Sequence, residues 1–193
     1  MQKNIAIFAS GSGTNAENII RYFEGNNTIR VALVLSNNPH SFVLQRAKNL
    51  EVPHIVVPKD MLARQDDVLP ILQNHHIDFI VLAGFLLRVP SWLVDAYPKR
   101  IVNIHPALLP KFGGKGMYGD KVHQAVIEAG EKESGITIHL IDEQYDEGTT
   151  VFQAKCCVDP SDTPDSLAQK IHTLEYKHFP HVIEELLTAG RTF

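Results

Sequence analysis

The first half of the chain alternates short apolar, β-branched runs with stretches of helical spacing, and few folds accept that pattern. The run F-I-V-L-A at 79–83 is apolar at every position, so a strand made from it must be covered on both faces. Parallel strands joined by crossover helices provide that cover. The pattern predicts strands over 4–9, 30–35, 54–57, 78–83 and 100–105, with helices over 15–23, 41–50, 61–74 and 91–97. Beyond it, an irregular Pro- and Gly-rich stretch over 106–119 leads to a helix over 120–129, strands over 135–141 and 149–158, and a long helix over 163–189. The two late strands are separated by the short D-E-Q-Y-D-E-G segment, which predicts an antiparallel or mixed edge to the sheet. The expected fold class is therefore α/β: an open, mostly parallel, twisted sheet with an antiparallel C-terminal strand and a long C-terminal helix. At 193 residues this is one domain, 1–193, with the glycine loop in residues 1–100 and the later motifs in 101–193.

Composition narrows the function. A formal charge of −4 argues against a surface that neutralises many phosphates, so no nucleic-acid partner is expected. No apolar run approaches the roughly 20 residues needed to cross a bilayer, and no cleavable leader is legible at the start; a cytoplasmic protein without a membrane partner is expected. The two cysteines, Cys156 and Cys157, are adjacent on an expected strand and point to opposite faces, so a disulfide between them is not expected.

Three motifs carry chemistry. Ser10-Gly11-Ser12-Gly13-Thr14-Asn15 lies between the first strand and its helix, where backbone N–H groups and the helix dipole attract an anion. A dinucleotide fingerprint would add a third glycine and an acidic residue closing strand 2, which instead ends Leu35-Ser36-Asn37-Asn38; a bare glycine turn stays open as the alternative. Asn103-Ile104-His105-Pro106 ends a strand, and period-two geometry puts Asn103 and His105 on one side. An amide donor and an imidazole aimed at one reacting atom suit acyl transfer, the pair stabilising an oxyanion and the imidazole moving a proton. The third motif is the acidic turn at 142–148, which reads either as a solvated hairpin turn or as the source of a carboxylate that favours an imidazolium. The segment K-F-G-G-K-G-M at 111–117 lacks the spacing of a phosphate-binding P-loop and reads as a substrate-contacting loop. His75-His76 and His178 with His181 lack a third ligand at usable spacing, so no metal is expected.

Together, IAIFASGSGTN, VLAGFLLRVP, IVNIHPALLPKFGGKGMYG, SGITIHLIDEQYDEG and IHTLEYKHFP resemble the folate-dependent formyltransferase family, on its glycinamide ribonucleotide side, over nearly the whole chain. The resemblance implies a Rossmann-like fold and formyl transfer from the co-substrate 10-formyltetrahydrofolate to the amine of glycinamide ribonucleotide in purine biosynthesis. It implies a nucleotide-binding half over 1–100, a catalytic and folate-binding half over 101–193, and a monomer or weak homodimer. By the resemblance Asn103, His105 and Asp146 are the catalytic residues, with Thr137 near them. Gly13, Thr14, Asn15, Pro106, Gly114 and Glu175 are expected around glycinamide ribonucleotide. Arg64, Leu86, Leu87, Arg88, Val89, Asn103, Ile141, Asp142 and Asp146 are expected around the folate, although from the residues alone Leu86 to Val89 read as packing. Glu147 replaces the glycine of the family's D-G-G form, and GGKGMYG lengthens the loop before it. Family members that act on aminoacyl-tRNA or hydrolyse the folate normally carry a further domain, so a small acceptor is expected here. A non-catalytic nucleotide-binding module is the rival from outside the family.

Overall fold

The structure, a computed structural model, describes residues 2–114, 116–142 and 148–188. Its strands are β1 (Lys3–Phe8), β2 (Ile29–Ser36), β3 (His54–Val56), β4 (Phe79–Leu82), β5 (Ile101–His105), β6 (Glu133–Leu140) and β7 (Thr150–Cys157). Its helices are α1 (Thr14–Tyr22), α2 (Phe42–Asn49), α3 (Lys59–Leu62), α4 (Gln65–Asn74), α5 (Ser91–Ala96), α6 (Asp120–Glu128) and α7 (Pro164–Thr188). The strands form one sheet in the order β3-β2-β1-β4-β5-β6-β7. The first five are mutually parallel; β6 pairs antiparallel with both β5 and β7, so it alone runs against the other six.

The apolar runs do what their composition requires. Along β1, Ile5 and Ile7 enter one core with α1, α2, α6 and α7, while Ala6 and Phe8 enter another with α3, α4 and α5. Both faces of the sheet centre are thus closed to water. Burying side chains of this size is the main favourable term in folding, at about 25 cal/mol per Å² of apolar surface. The outermost strand β7 instead alternates half-buried and exposed positions, with Cys156 half-buried and Cys157 exposed.

One expected element divides. The helical pattern over 61–74 becomes α3 and α4, separated at Arg64, whose backbone is extended with φ −101° and ψ 110°. Two causes are visible. The indole Nε1 of Trp92 donates to the Leu62 carbonyl at 3.1 Å, giving the end of α3 a partner outside the helix. Asp66 and Asp67 then sit in the first turn of α4, where carboxylates suit the positive end of a helix dipole. Pro70 is retained inside α4.

Strand order decides where a ligand can bind. The chain leaves β1 towards β2 on one side and returns to β4 on the other, so a crevice opens beyond the carboxyl ends of β1 and β4. The Ser10 N–H donates to the Gly84 carbonyl at 3.0 Å, and the Leu86 N–H donates to Ser10 Oγ at 2.9 Å, joining the loops that follow these two strands. Among the described residues no helix is long and apolar enough to cross a membrane.

Candidate active site

A cavity of about 600 Å³ lies over that crevice. Its first wall is the loop from Gly11 to Asn15. The carbonyls of this loop are occupied by the protein: Gly11 accepts from the Val43 N–H at 3.2 Å, Ser12 from Arg46 Nε at 2.9 Å, and Gly13 from the Glu17 N–H at 2.9 Å. Arg46 also pairs with Glu17, so α2 holds the loop against α1. Gly13 caps α1 at φ 75° without a side-chain hydrogen bond. The first N–H groups of the helix lack intrahelical acceptors, as at any helix start, and remain available to an anion. A side chain at residue 13 would be strained by that φ and would place its Cβ 2.7 Å from the Val43 Cα, so the close helix–loop contact requires glycine.

The second wall is the β4–α5 loop, with Leu86, Leu87, Arg88 and Val89, continued by Ile141 and Asp142 after β6. Leu86 is 52% exposed, large apolar surface on a cavity wall. The floor is the end of β5. Asn103 and His105 both open into the cavity, as their period-two spacing predicts. Asn103 Nδ2 lies 3.0 Å from His139 Nε2 on the neighbouring β6. A primary amide has two N–H donors, so with one directed at His139 the second can serve a substrate oxygen. The His105 Nε2 donates to the Phe112 carbonyl at 2.8 Å. That bond requires a proton on Nε2, so a proton exchanged by His105 in this arrangement moves at Nδ1. Phe112 provides its carbonyl from a left-handed backbone conformation, φ 56°, which a non-glycine residue keeps only where its surroundings hold it there.

The third wall comes from α6 and α7. Buried Glu175 accepts through one oxygen, Oε2, from Asn15 Nδ2 at 2.9 Å and from His172 Nδ1 at 2.8 Å. The hydrogen bond to Glu175 raises the His172 pKa above the usual histidine range. His123, 3% exposed, lies close enough to feel both His172 and His105; burial, and after it the neighbouring His172, push its pKa down. His123 Nδ1 is buried with no hydrogen-bond partner among the described residues.

Of the residues singled out from the sequence, Gly13, Thr14, Asn15, Leu86 to Val89, Asn103, His105, Pro106, Gly114, Ile141, Asp142 and Glu175 line this one cavity. Two expected site residues do not. Thr137 is fully buried on β6, paired with His105, where its hydroxyl donates to the Ala107 carbonyl at 2.7 Å and accepts from the Leu109 N–H at 2.9 Å and Gln153 Nε2 at 2.8 Å. It organises the loop after His105 without touching the cavity, because the β6 residue opposite His105 faces that loop's backbone. Arg64 lies away from the cavity and pairs with Asp67, since the break between α3 and α4 places it at a helix start beside that carboxylate. Asp146 lies outside the described residues. Sequence reasoning passed over His139, His123 and His172. The alternation T-I-H at 137–139 signals the first, and the i,i+3 spacing of His172 and Glu175 on α7 signals the last.

The comparison with known proteins decides the family. The formyl transferase family pattern matches residues 3–183. The chain belongs to the formyl transferase family. Within the family it is 38% identical over 190 residues to the phosphoribosylglycinamide formyltransferase of Bacillus subtilis, covering 96% of this chain and 95% of that one. It is 40% identical to the chloroplastic phosphoribosylglycinamide formyltransferase of Arabidopsis thaliana over 188 residues, and spans 64% of that protein's length. Among solved family structures, the phosphoribosylglycinamide formyltransferase from Bacillus halodurans matches with a TM-score of 0.88 at 36% identity, covering 98% of this chain and 97% of that one. The glycinamide ribonucleotide transformylase 1 from Symbiobacterium toebii matches with a TM-score of 0.90 at 29% identity, covering 100% of this chain and 91% of that one.

Proposed function

We propose that this chain transfers the formyl group of 10-formyltetrahydrofolate to the primary amine of glycinamide ribonucleotide. The amine nitrogen attacks the formyl carbon, the carbonyl electrons move onto oxygen, and the tetrahedral intermediate collapses by breaking the bond to N10 of the folate. The amine loses a proton, N10 gains one, and the products are N-formylglycinamide ribonucleotide and tetrahydrofolate. No covalent enzyme intermediate is required.

The observation that carries the reading is the opening of Asn103 and His105 into the same cavity as the α1 anion loop and the apolar wall at Leu86 to Val89. An Asn103 N–H and a protonated His105 would hold the developing oxyanion, each such donor being worth about 3 kcal/mol in comparable sites. Asp146 is assigned to keep His105 charged. Gly13, Thr14 and Asn15 would hold the phosphate of the acceptor, Glu175 its ribose, and Pro106 and Gly114 the same pocket. Leu86 to Val89, Ile141 and Asp142 would line the pterin slot, with Arg64 assigned to the folate tail and Thr137 to positioning the loop beside His105. Residues 1–100 then contribute mainly the phosphate loop and 101–193 mainly the reacting groups. We place the protein in the cytoplasm as a monomer or weak homodimer; sedimentation at several concentrations reads the oligomeric part directly.

The test mixes the protein with 10-formyltetrahydrofolate, or its deaza analogue, and glycinamide ribonucleotide, and follows the deformylated folate by absorbance. Acceptor-dependent release is expected. Release at the same rate without acceptor would identify a hydrolase and overturn the reading.

A further inference from the structure

The phosphate end of the cavity has a charge problem. Among the described lining residues Arg88, in the β4–α5 loop, is the only arginine or lysine. Arg46, behind the glycine loop, is occupied by Glu17 and by the Ser12 carbonyl. Glu175, in contrast, puts a buried carboxylate 2.9 Å from Asn15 Nδ2, in the first turn of the helix whose N-terminus would receive the anion. A carboxylate there repels a phosphate and opposes the attraction of the helix end.

Among the described residues, the cationic group in contact with Glu175 is His172. Its Nδ1 meets the same Glu175 oxygen at 2.8 Å, and its ring stacks on Tyr176, with centroids 5.9 Å apart and planes 9° from parallel. It lines the cavity with its side chain 48% exposed, so a bound anion can feel its charge. We propose that His172, as an imidazolium, neutralises Glu175 and thereby permits a phosphorylated acceptor to bind at the α1 N-terminus, making the affinity for that acceptor proton-linked. The inference rests on the acceptor reading above and adds the group that governs its binding.

The charged and titratable neighbours agree on the direction. Glu175 on α7 and, more weakly, Asp120 on α6 favour the charged imidazole; burial opposes them. His123 on α6, pushed down by its own burial and by His172, favours staying neutral and so does not compete for the positive charge. A histidine whose pKa is raised is charged at low pH, so anion affinity is present there and is lost as pH rises through the His172 titration.

The decisive probe is inorganic sulfate, whose charge does not change in the range used, titrated calorimetrically into wild type, His172→Gln and His172→Lys from about pH 5.5 to about 9. Wild type should bind sulfate roughly five- to tenfold more tightly than His172→Gln at the acid end, with the ratio falling to unity at the alkaline end. His172→Lys should keep the tighter binding at the alkaline end. In turnover, His172→Gln should raise KM for the acceptor by a similar factor and leave kcat and the folate KM within about twofold. A wild-type to His172→Gln ratio that is flat with pH, or equal sulfate affinity in the two proteins, overturns the inference. If the wild type shows no acceptor-dependent formyl transfer, the acceptor reading falls instead, whatever sulfate shows.

Discussion

Replacing Thr137 with valine separates an architectural role from a chemical one. The two side chains have nearly the same shape, so the change removes a hydroxyl without opening a cavity. That hydroxyl makes three hydrogen bonds at a fully buried position, to Ala107, Leu109 and Gln153. Gln153 keeps a second acceptor in the Leu109 carbonyl at 3.1 Å, so its loss is partly recovered. Among the described residues the Leu109 N–H, part-buried, has no second acceptor; a donor shielded from water and left without an acceptor costs about 1–3 kcal/mol, and the Ala107 carbonyl adds about 1 kcal/mol. The expected loss is about 2–4 kcal/mol, a fall in Tm of roughly 5–15 °C for a domain of this size. Urea denaturation with an unchanged m-value reads the first quantity and calorimetry the second. Because the hydroxyl ties down the segment between His105 and Phe112, kcat should fall less steeply than for a residue in the cavity, by about tenfold or less. Stability within about 0.5 kcal/mol of wild type would refute the hydrogen-bond accounting. Unchanged stability with a hundredfold or greater loss of kcat would show that Thr137 reaches the reacting atoms after all.

Asn103→Ala should lower kcat by about 10²–10³-fold with little change in either KM, the signature of a donor used in the transition state; near wild-type turnover would remove it from the reaction. Gly13→Ala combines a left-handed backbone with a Cβ driven into Val43, and should cost about 2–5 kcal/mol in denaturant unfolding. The same variant should bind sulfate less well, because the loop can relax only by moving away from α2. Lys170 holds Asp159 and Asp162 at 2.6 Å each, and its hydrogen bond to Asp162 lowers that carboxyl's pKa to about 2. A depressed carboxyl pKa means that the contribution to stability is present above the ordinary aspartate value and is lost as pH falls through about 2. Carbon-detected titration should find Asp162 near that value in wild type and higher in Lys170→Met, yet still below the ordinary range, because the Ser166 hydroxyl and the Asp159 N–H go on donating to it.

Much of the architecture was legible because it rests on local periodicity. Completely apolar runs such as Ile5 to Phe8 and Phe79 to Leu82 suit only strands covered on both faces, and the observed sheet covers them so. Asn103 and His105 were legible as a pair because side-chain direction in a strand repeats every two residues, whatever the rest of the fold does. The glycine loop was legible because a tight turn between a strand and a helix needs residues without a Cβ, and Gly13 meets that demand twice, in its φ and in its contact with Val43. The break between α3 and α4 was not, since it depends on Trp92 reaching the Leu62 carbonyl from 30 residues away.

Periodicity in the amino-acid sequence therefore determined the strands, the helices on both faces, and which residues share the carboxyl end of β5. Tertiary structure alone decided which side chains meet across elements: His139 with Asn103, the Phe112 carbonyl with His105, and Asn15 with Glu175 and His172. It also withdrew Thr137 from the cavity and turned Arg64 to Asp67. The physical reason is range. Side-chain direction within a strand or helix is set by covalent geometry over a few residues, whereas hydrogen bonds between residues 15 and 175, or 103 and 139, exist only once packing has brought distant segments within 3 Å or so.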